Sequence, residues 1–186
     1  KNNLQVISGL IQIQASKIKI PEVKEMLHES ERYIESMSMV HQMLYKNENL
    51  RIISMQNYLN ELCSKILESS MSNHIKHSID IDDIDLKIDY AIPIGLMVSE
   101  MTTNSLKHAF DNKSGNIKIS LKTASETKFI FSYHDDGKGL PEVLAKKGDK
   151  TLGLKLITML ADEIDGKMTI ENKNGFYLQI LFQASK

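Results

Sequence analysis

Three groups of residues in this chain have types and spacings that could do chemistry. Glu100, Asn104 and His108 recur every four residues, with Lys107 beside them. On a helix, four residues overshoot one turn by about 40°, so the three side chains project from one face. An acid, an amide and an imidazole in a row suit magnesium and phosphate. The amide oxygen is a hard ligand, and the imidazole can donate to phosphate. The second group is Asp135-Asp136-Gly137-Lys138-Gly139. Its glycines let the backbone turn sharply and lie close to a ligand. The carboxylate at the strand end can accept a hydrogen bond from an amino group such as that of adenine. The third is Thr151-Leu152-Gly153-Leu154, which opens a helix. Backbone N–H groups at a helix start bind phosphate, and Gly153 allows close approach. Taken singly, each group has an ordinary explanation: a solvated helix face, a turn, and a helix start capped by Thr151 or Asp149.

The elements that must position these groups are read from periodicity. Helical spacing covers 89–109, with Leu96, Met101, Leu106 and Phe110 on a packing face. Pro93 is expected in the first turn, where a missing N–H is tolerated. Upstream, 51–54 is a short strand, and 55–69 a helix with Met55, Tyr58, Leu59, Leu62 and Ile66 inward. Segments 75–81 and 85–88 alternate with period two. Downstream come strands at 116–122 (Ile117, Ile119, Leu121) and 128–134 (Phe129, Phe131, Tyr133). A Gly-, Asp- and Lys-rich loop follows over 135–150. A helix over 151–163 then leads to strands at 167–171 and 176–182, joined by the hairpin turn Asn172-Lys173-Asn174-Gly175. Strands interleaved with three helices predict an α/β sandwich with helices on one sheet face.

The first fifty residues differ. Leu4, Ile7, Ile11 and Ile18, with Gln14 completing the spacing, form a narrow seam. Val6, Leu10 and Ile13 form a second stripe beside it. Ile20-Pro21 interrupts the pattern, and proline fits the start of the next helix. Helical spacing resumes over 22–45 at Val23, Met26, Leu27, Ile34, Met37, Val40 and Leu44. The tight connection predicts an antiparallel hairpin. Two helices cannot bury both stripes. Either a second copy completes a four-helix bundle, or the hairpin packs on its own domain. The fold class is therefore α+β, with a helical hairpin over 1–50 and the sandwich over 51–186.

Composition narrows the function classes. The chain has 186 residues, 41% apolar and 25% charged, enough for one ordinary domain plus a small helical element. Lys plus Arg is 23 against 24 Asp plus Glu. That balance leaves no electrostatic footprint for nucleic acid and no bias toward a membrane surface. No apolar run is long enough to span a bilayer. The single Cys63 excludes an intrachain disulfide and any multi-cysteine metal site. It lies in an apolar stripe and reads as a small buried hydrophobe. A reducing, cytoplasmic setting is the simplest fit. His28, His41, His74 and His77 lack metal-ligand partners at useful spacing, and the ten methionines read as core and interface fill. The opening Lys1-Asn2-Asn3-Leu4, without initiator Met or leader, reads as part of a larger protein.

In combination the three groups point to a family. EMTTNSLKHAF, DDGKG and TLGLKL resemble the N, G1 and G2 boxes of the ATPase superfamily shared by histidine kinases, heat-shock chaperones, gyrase and MutL. The opening KNNLQVISGLIQIQ is similar to the continuation of the phosphoacceptor motif His-Arg-hydrophobic-Lys-Asn-Asn-Leu-Gln. That motif marks one branch of histidine kinases, close to the branch known by its His, Trp and Glu signature residues. VHQMLY and Tyr58-Leu59 resemble the same branch.

The resemblance covers nearly the whole chain and implies a Bergerat-type sandwich after a dimerisation and phosphoacceptor hairpin. It implies that Asn104 coordinates Mg²⁺ bridging the phosphates of ATP, that Glu100 orients or activates the attacking histidine nitrogen, and that His108 and Lys107 contact phosphate. Asp135 is implied to read the adenine amino group, with Gly137 and Gly139 shaping the pocket floor and hinging a lid over roughly 140–152. Thr151, Leu152, Gly153 and Leu154 are implied to close over the phosphates. The acceptor histidine is implied just upstream of Lys1. The implied partners are a response-regulator receiver domain and a second copy joined through 1–50. Two departures stand out. The lid lacks a phenylalanine-centred box, and the absence of Trp excludes the Trp-x-Glu element of the neighbouring branch. A serine kinase of the anti-sigma type would use the same pocket but leave the Lys-Asn-Asn-Leu helix unexplained. A nucleotide-gated scaffold would bind ATP without labelling any protein.

Overall fold

The computed structural model describes residues 3–45, 52–70, 74–111, 113–140 and 151–184. The chain divides into two units, Lys1–Leu50 and Arg51–Lys186. Within the first, α1 (Asn3–Lys17) packs back along α2 (Pro21–Tyr45). Pro21 is the first residue of α2, where the missing N–H costs nothing.

The seam of α1 differs from the spacing expected. Leu4, Ser8, Ile11 and Ile18 are half-buried and Ala15 is fully buried, while Gln14 is exposed and Ile7 is 44% exposed. A small Ala15 admits close helix approach, and Gln14 keeps its amide in water. The second stripe, Val6, Leu10 and Ile13, is left more than half exposed at 57%, 56% and 53%.

In the second unit, β1 (Ile52–Ser54) pairs antiparallel with β3 (Asp85–Lys87), Ile53 opposite Leu86. Between them run α3 (Met55–Ser69) and β2 (Ile75–Ile81). Among the described residues the main sheet has five strands in the order β2-β4-β5-β7-β6. It comprises β2, β4 (Gly115–Thr123), β5 (Lys128–Asp135), β6 (Lys167–Asn172) and β7 (Phe176–Gln183). Among the described residues only β2 and β4 pair in parallel, with Ile79 opposite Ile119. The rest of the sheet is antiparallel.

Alternation sorts the strands onto two faces. Ile117, Ile119 and Leu121 of β4, Phe129, Phe131 and Tyr133 of β5, and Leu178, Ile180 and Phe182 of β7 are all buried. Among the described residues three helices cover that face: α3, α4 (Ile88–Asn104) and α5 (Leu152–Glu163). The α4 helix packs against both of the others, and its stretch from Pro93 to Thr102 is buried on all sides. Most of that stretch is apolar, which suits the middle of a core, and it also carries the buried polar residues Ser99, Glu100 and Thr102. Its ends are tied to the sheet. The Tyr90 ring lies 6.2 Å from that of Phe182, and Ser105, just past the α-helical part, bonds Tyr133 and Asp135.

Two features of α4 depart from the expected helix. It begins at Ile88, so Pro93 is its sixth residue and lies beyond the first turn. The missing N–H deprives the Asp89 carbonyl of a helical partner. Asp89 lies at an exposed position. At the other end, Ser105–Ala109 form a π turn, in which each N–H reaches back five residues. Among the described residues, no helix is long and apolar enough to cross a membrane.

Candidate active site

The polar face of α4 contains the first contact. Asn104 Nδ2 donates to Oε1 of Glu100 at 2.7 Å, one turn back on the helix. Glu100 is only 8% exposed. Against this pair lies the start of α5. A Cβ on Gly153 would stand 2.1 Å from Glu100 Oε1 and 3.2 Å from Asn104 Nδ2. Gly153 is therefore required by close approach. Thr151 caps the helix, its Oγ1 accepting from the Leu154 N–H at 3.3 Å. Leu152 is 45% exposed beside it.

The third member of the trio behaves differently. Because the chain passes into a π turn after Asn104, each turn takes more than four residues, and the simple α-helical stacking of His108 over Asn104 does not apply. His108 and Lys107 are exposed on that turn.

The loop after β5 is built around Asp135, which is 2% exposed. Its Oδ2 accepts from Ser105 Oγ at 2.6 Å. Its Oδ1 accepts from the Gly137 N–H at 3.0 Å and the Phe176 N–H at 3.3 Å. Ser105 Oγ also lies 2.9 Å from the Tyr133 hydroxyl. Burial pushes the Tyr133 phenol far above its ordinary value, so it stays protonated. Asp136 turns the other way. It accepts from the backbone and side-chain nitrogens of Asn116 at 2.6 and 2.5 Å. Partial burial pushes its carboxyl upward, but those bonds outweigh it and hold the group below the usual range.

Two glycines let the loop sit where it does. A Cβ on Gly137 would meet the Ala109 carbonyl oxygen at 2.6 Å, and the next residue, Lys138, donates its N–H to that same oxygen at 3.1 Å. The π turn and the loop are thus packed backbone to backbone. Gly139 has φ +71°, and its Cβ would meet Asn172 Oδ1 at 2.8 Å. Asn172 then grips Leu140 from both sides. Its Oδ1 accepts from the Leu140 N–H at 2.9 Å, and its Nδ2 donates to the Leu140 carbonyl at 3.0 Å. The Lys138 ammonium reaches Asp111 at 2.9 Å. The remainder of the expected lid, 141–150, lies outside the described residues, as do Asp149 and the first two residues of the opening motif.

The structure therefore brings Glu100, Asn104 and Gly153 together, and gathers Asp135, Gly137 and Gly139 at the loop. It also shows residues that local spacing did not single out: Ser105, Tyr133, Asn116 and Asn172. One signal was available for two of them. Ser105 is the hydroxyl that directly follows Asn104, and Tyr133 is the hydroxyl-bearing member of a Phe-x-Phe-x-Tyr alternation.

Residues 89–186 match the family model described as histidine kinase-, DNA gyrase B-, and HSP90-like ATPase. Residues 1–70 match a model described as histidine kinase. The sensor histidine kinase PdtaS of Mycobacterium tuberculosis is 28% identical over 175 residues, covering 90% of this chain and 34% of that protein. Blue-light-activated histidine kinase 2 of Erythrobacter litoralis is 28% identical over 179 residues, covering 91% of this chain and 50% of that protein. The chain thus spans a third to a half of the length of these relatives. Among solved structures, the histidine kinase domain of a blue-light activated histidine kinase from Erythrobacter litoralis superposes with a TM-score of 0.71 at 25% identity. That match covers 99% of this chain and 87% of the other. The histidine kinase AdeS of Acinetobacter baumannii shares the fold at 17% identity and a TM-score of 0.61, covering 100% of this chain and 97% of the other.

Proposed function

The chain belongs to the histidine kinase-, DNA gyrase B-, and HSP90-like ATPase family, and from this premise we propose that it is the ATP-binding kinase core of a sensor histidine kinase in a two-component system. The observation that carries the proposal is the seating of Gly153 on the Glu100–Asn104 pair. It places the start of α5 over the polar face of α4, where phosphate and cation chemistry would meet.

The assignments are those that the family resemblance implies, and the geometry is compatible with them. Asn104 commits its Nδ2 to Glu100, so its Oδ1 is directed away and is the atom assigned to Mg²⁺. Among the described residues no three His, Cys, Asp or Glu side chains gather into a metal site. Asn104 would hold the ion, a small hard cation that takes oxygen ligands. Glu100 is assigned to orient or activate the attacking histidine nitrogen. His108 and Lys107, exposed on the π turn, are assigned to phosphate. The backbone N–H groups of Leu152 and Gly153, in a first helical turn, are assigned to close over the phosphates with Thr151 and Leu154 around them. Asp135 is the reader of the adenine amino group, on a floor shaped by Gly137 and Gly139.

The γ-phosphoryl group of ATP would pass to a histidine upstream of Lys1, and from there to an aspartate on a response-regulator receiver domain. Little covalent work falls on the protein in such a transfer; positioning and charge neutralisation supply most of the catalysis. Residues 51–186 form the catalytic domain in this reading, and 1–50 the dimerisation and phosphoacceptor hairpin. A second copy is assigned to pair through 1–50, completing a four-helix bundle, and the surface near Val6, Leu10 and the facing part of the second helix is assigned to docking of the regulator. If charges at Val6 and Leu10 leave transfer to the regulator unchanged, the docking assignment is wrong. A cytoplasmic setting is part of the proposal.

The deciding experiment incubates γ-labelled ATP with a chain extended upstream through the acceptor histidine, beside the same protein carrying Asn104→Ala. Label that is acid-labile, alkali-stable and absent from the variant is the expected result. Acid-stable label would indicate a serine kinase. ATP binding without label would leave a scaffold.

A further inference from the structure

Asp135 ends β5, two residues after Tyr133, so both side chains lie on the buried face of the strand. Ser105, 3% exposed, reaches both of them from the first position of the π turn. The direction of the hydrogen bonds is determined by the atoms. Asp135 Oδ2 accepts from Ser105, which uses the one proton that the serine hydroxyl carries. The phenol keeps its own proton, because burial opposes ionisation. Tyr133 therefore donates to Ser105 Oγ, and Ser105 donates to Asp135.

A carboxylate offers about four lone-pair positions. Ser105, the Gly137 N–H and the Phe176 N–H occupy three. Capacity for one more donor remains on Oδ2, the oxygen that Ser105 holds. Rotation of the carboxylate about its Cβ bond would move that position, and the Ser105 bond opposes the rotation. A chain of hydrogen bonds pointing one way also strengthens each member.

We propose that Ser105 and Tyr133 are positioning residues, a two-hydroxyl relay that aims the remaining acceptor position of Asp135 and so sets the preference of the site for a purine bearing an exocyclic amino group. The inference rests on the reading of Asp135 as the group facing adenine. Neither hydroxyl touches the base. An aimed acceptor gains a hydrogen bond from an amino group and nothing from a hydrogen atom at the same ring position, so the relay acts on selectivity as well as on affinity.

The test compares equilibrium binding of ATP and of purine riboside triphosphate, which differs only in lacking the 6-amino group, to the 186-residue chain. Ser105→Ala, Ser105→Thr and Tyr133→Phe are measured beside the unaltered protein. The unaltered chain is expected to prefer ATP. Ser105→Ala should reduce that preference about tenfold and Tyr133→Phe about threefold, while Ser105→Thr, which keeps the hydroxyl, should retain it. A purely structural role would weaken both nucleotides in proportion and leave the ratio unchanged. A preference that survives intact in Ser105→Ala and Tyr133→Phe overturns the relay and leaves the reading of Asp135 standing. Equal binding of the two nucleotides by the unaltered chain defeats the reading of Asp135, and the relay with it. Should Ser105→Ala fail to fold by circular dichroism, Tyr133→Phe, which keeps the ring, decides by itself.

Discussion

Gly153 stands where a Cβ would lie 2.1 Å from Oε1 of Glu100, although the two residues are far apart in the chain and on different helices. The obstructing atom is the end of a side chain, so Gly153→Ala can be accommodated only by displacing Glu100 and breaking its 2.7 Å bond to Asn104. The substitution should therefore harm the site more than the fold. Nucleotide affinity is expected to fall at least about tenfold, while stability falls by about 1–2 kcal/mol. Titration beside thermal unfolding checks this. A variant that binds ATP as the parent does would show that the contact has no part in the site.

Gly175 presents the opposite case. Its φ is +127°, and a Cβ there would lie 1.8 Å from the backbone carbonyl oxygen of Asp135. Backbone cannot step aside as a side-chain tip can. Gly175→Ala should cost about 3 kcal/mol and lower the melting temperature by on the order of 10 °C. A shift of only a degree or two would mean that the hairpin can rearrange around a side chain.

Three carboxylates give the second unit a defined response to acid. The Thr123 backbone N–H, then the Lys122 ammonium, hold Asp82 below its ordinary value of 3.8. The Lys138 side chain does the same for Asp111. Asp136 is lowered against the opposing effect of burial, through its bonds to Asn116. A lowered folded-state pKa means that the unfolded chain binds more protons at low pH. The stability from these groups is fully present above about pH 4 and is lost as pH falls through their folded-state values. Urea midpoints measured from neutral pH downward should decline in that window, and Asp82→Asn and Asp136→Asn should flatten the decline. An unchanged slope in both variants would refute the assignment.

Cys63 is fully buried in α3, and burial pushes its thiol up to about 12. At pH 8 the thiolate would then be only about one part in ten thousand. A chromogenic disulfide reagent should leave the folded protein unlabelled and react with one thiol per chain in denaturant. Rapid labelling of the native protein would contradict the burial.

The N box, the glycine loop and the helix start were legible because each is a local pattern. Asn104 precedes Ser105 on a helix with clear apolar spacing, and Asp135 ends a strand whose Phe129, Phe131 and Tyr133 alternate. The partners of these residues were not legible, because no local rule connects Gly153 to Glu100 or Asn172 to Leu140. The seam of α1 shows the same limit. Gln14 fits the spacing of an apolar row, yet Ala15 is buried in its place, since the choice depends on how closely α2 approaches.

By itself the sequence determined which segments become strands and helices, and which side chains could do chemistry. Each amphipathic segment must hide one face, and the period of its apolar residues states which face that is. Only the tertiary structure decided that α4 would pass into a π turn at Ser105. That turn aims the hydroxyl at an aspartate thirty positions later and brings Ala109 onto the backbone of the glycine loop. Such a change of helical register is not favoured by the segment alone. It is stabilised by bonds to groups that folding brings together from elsewhere in the chain.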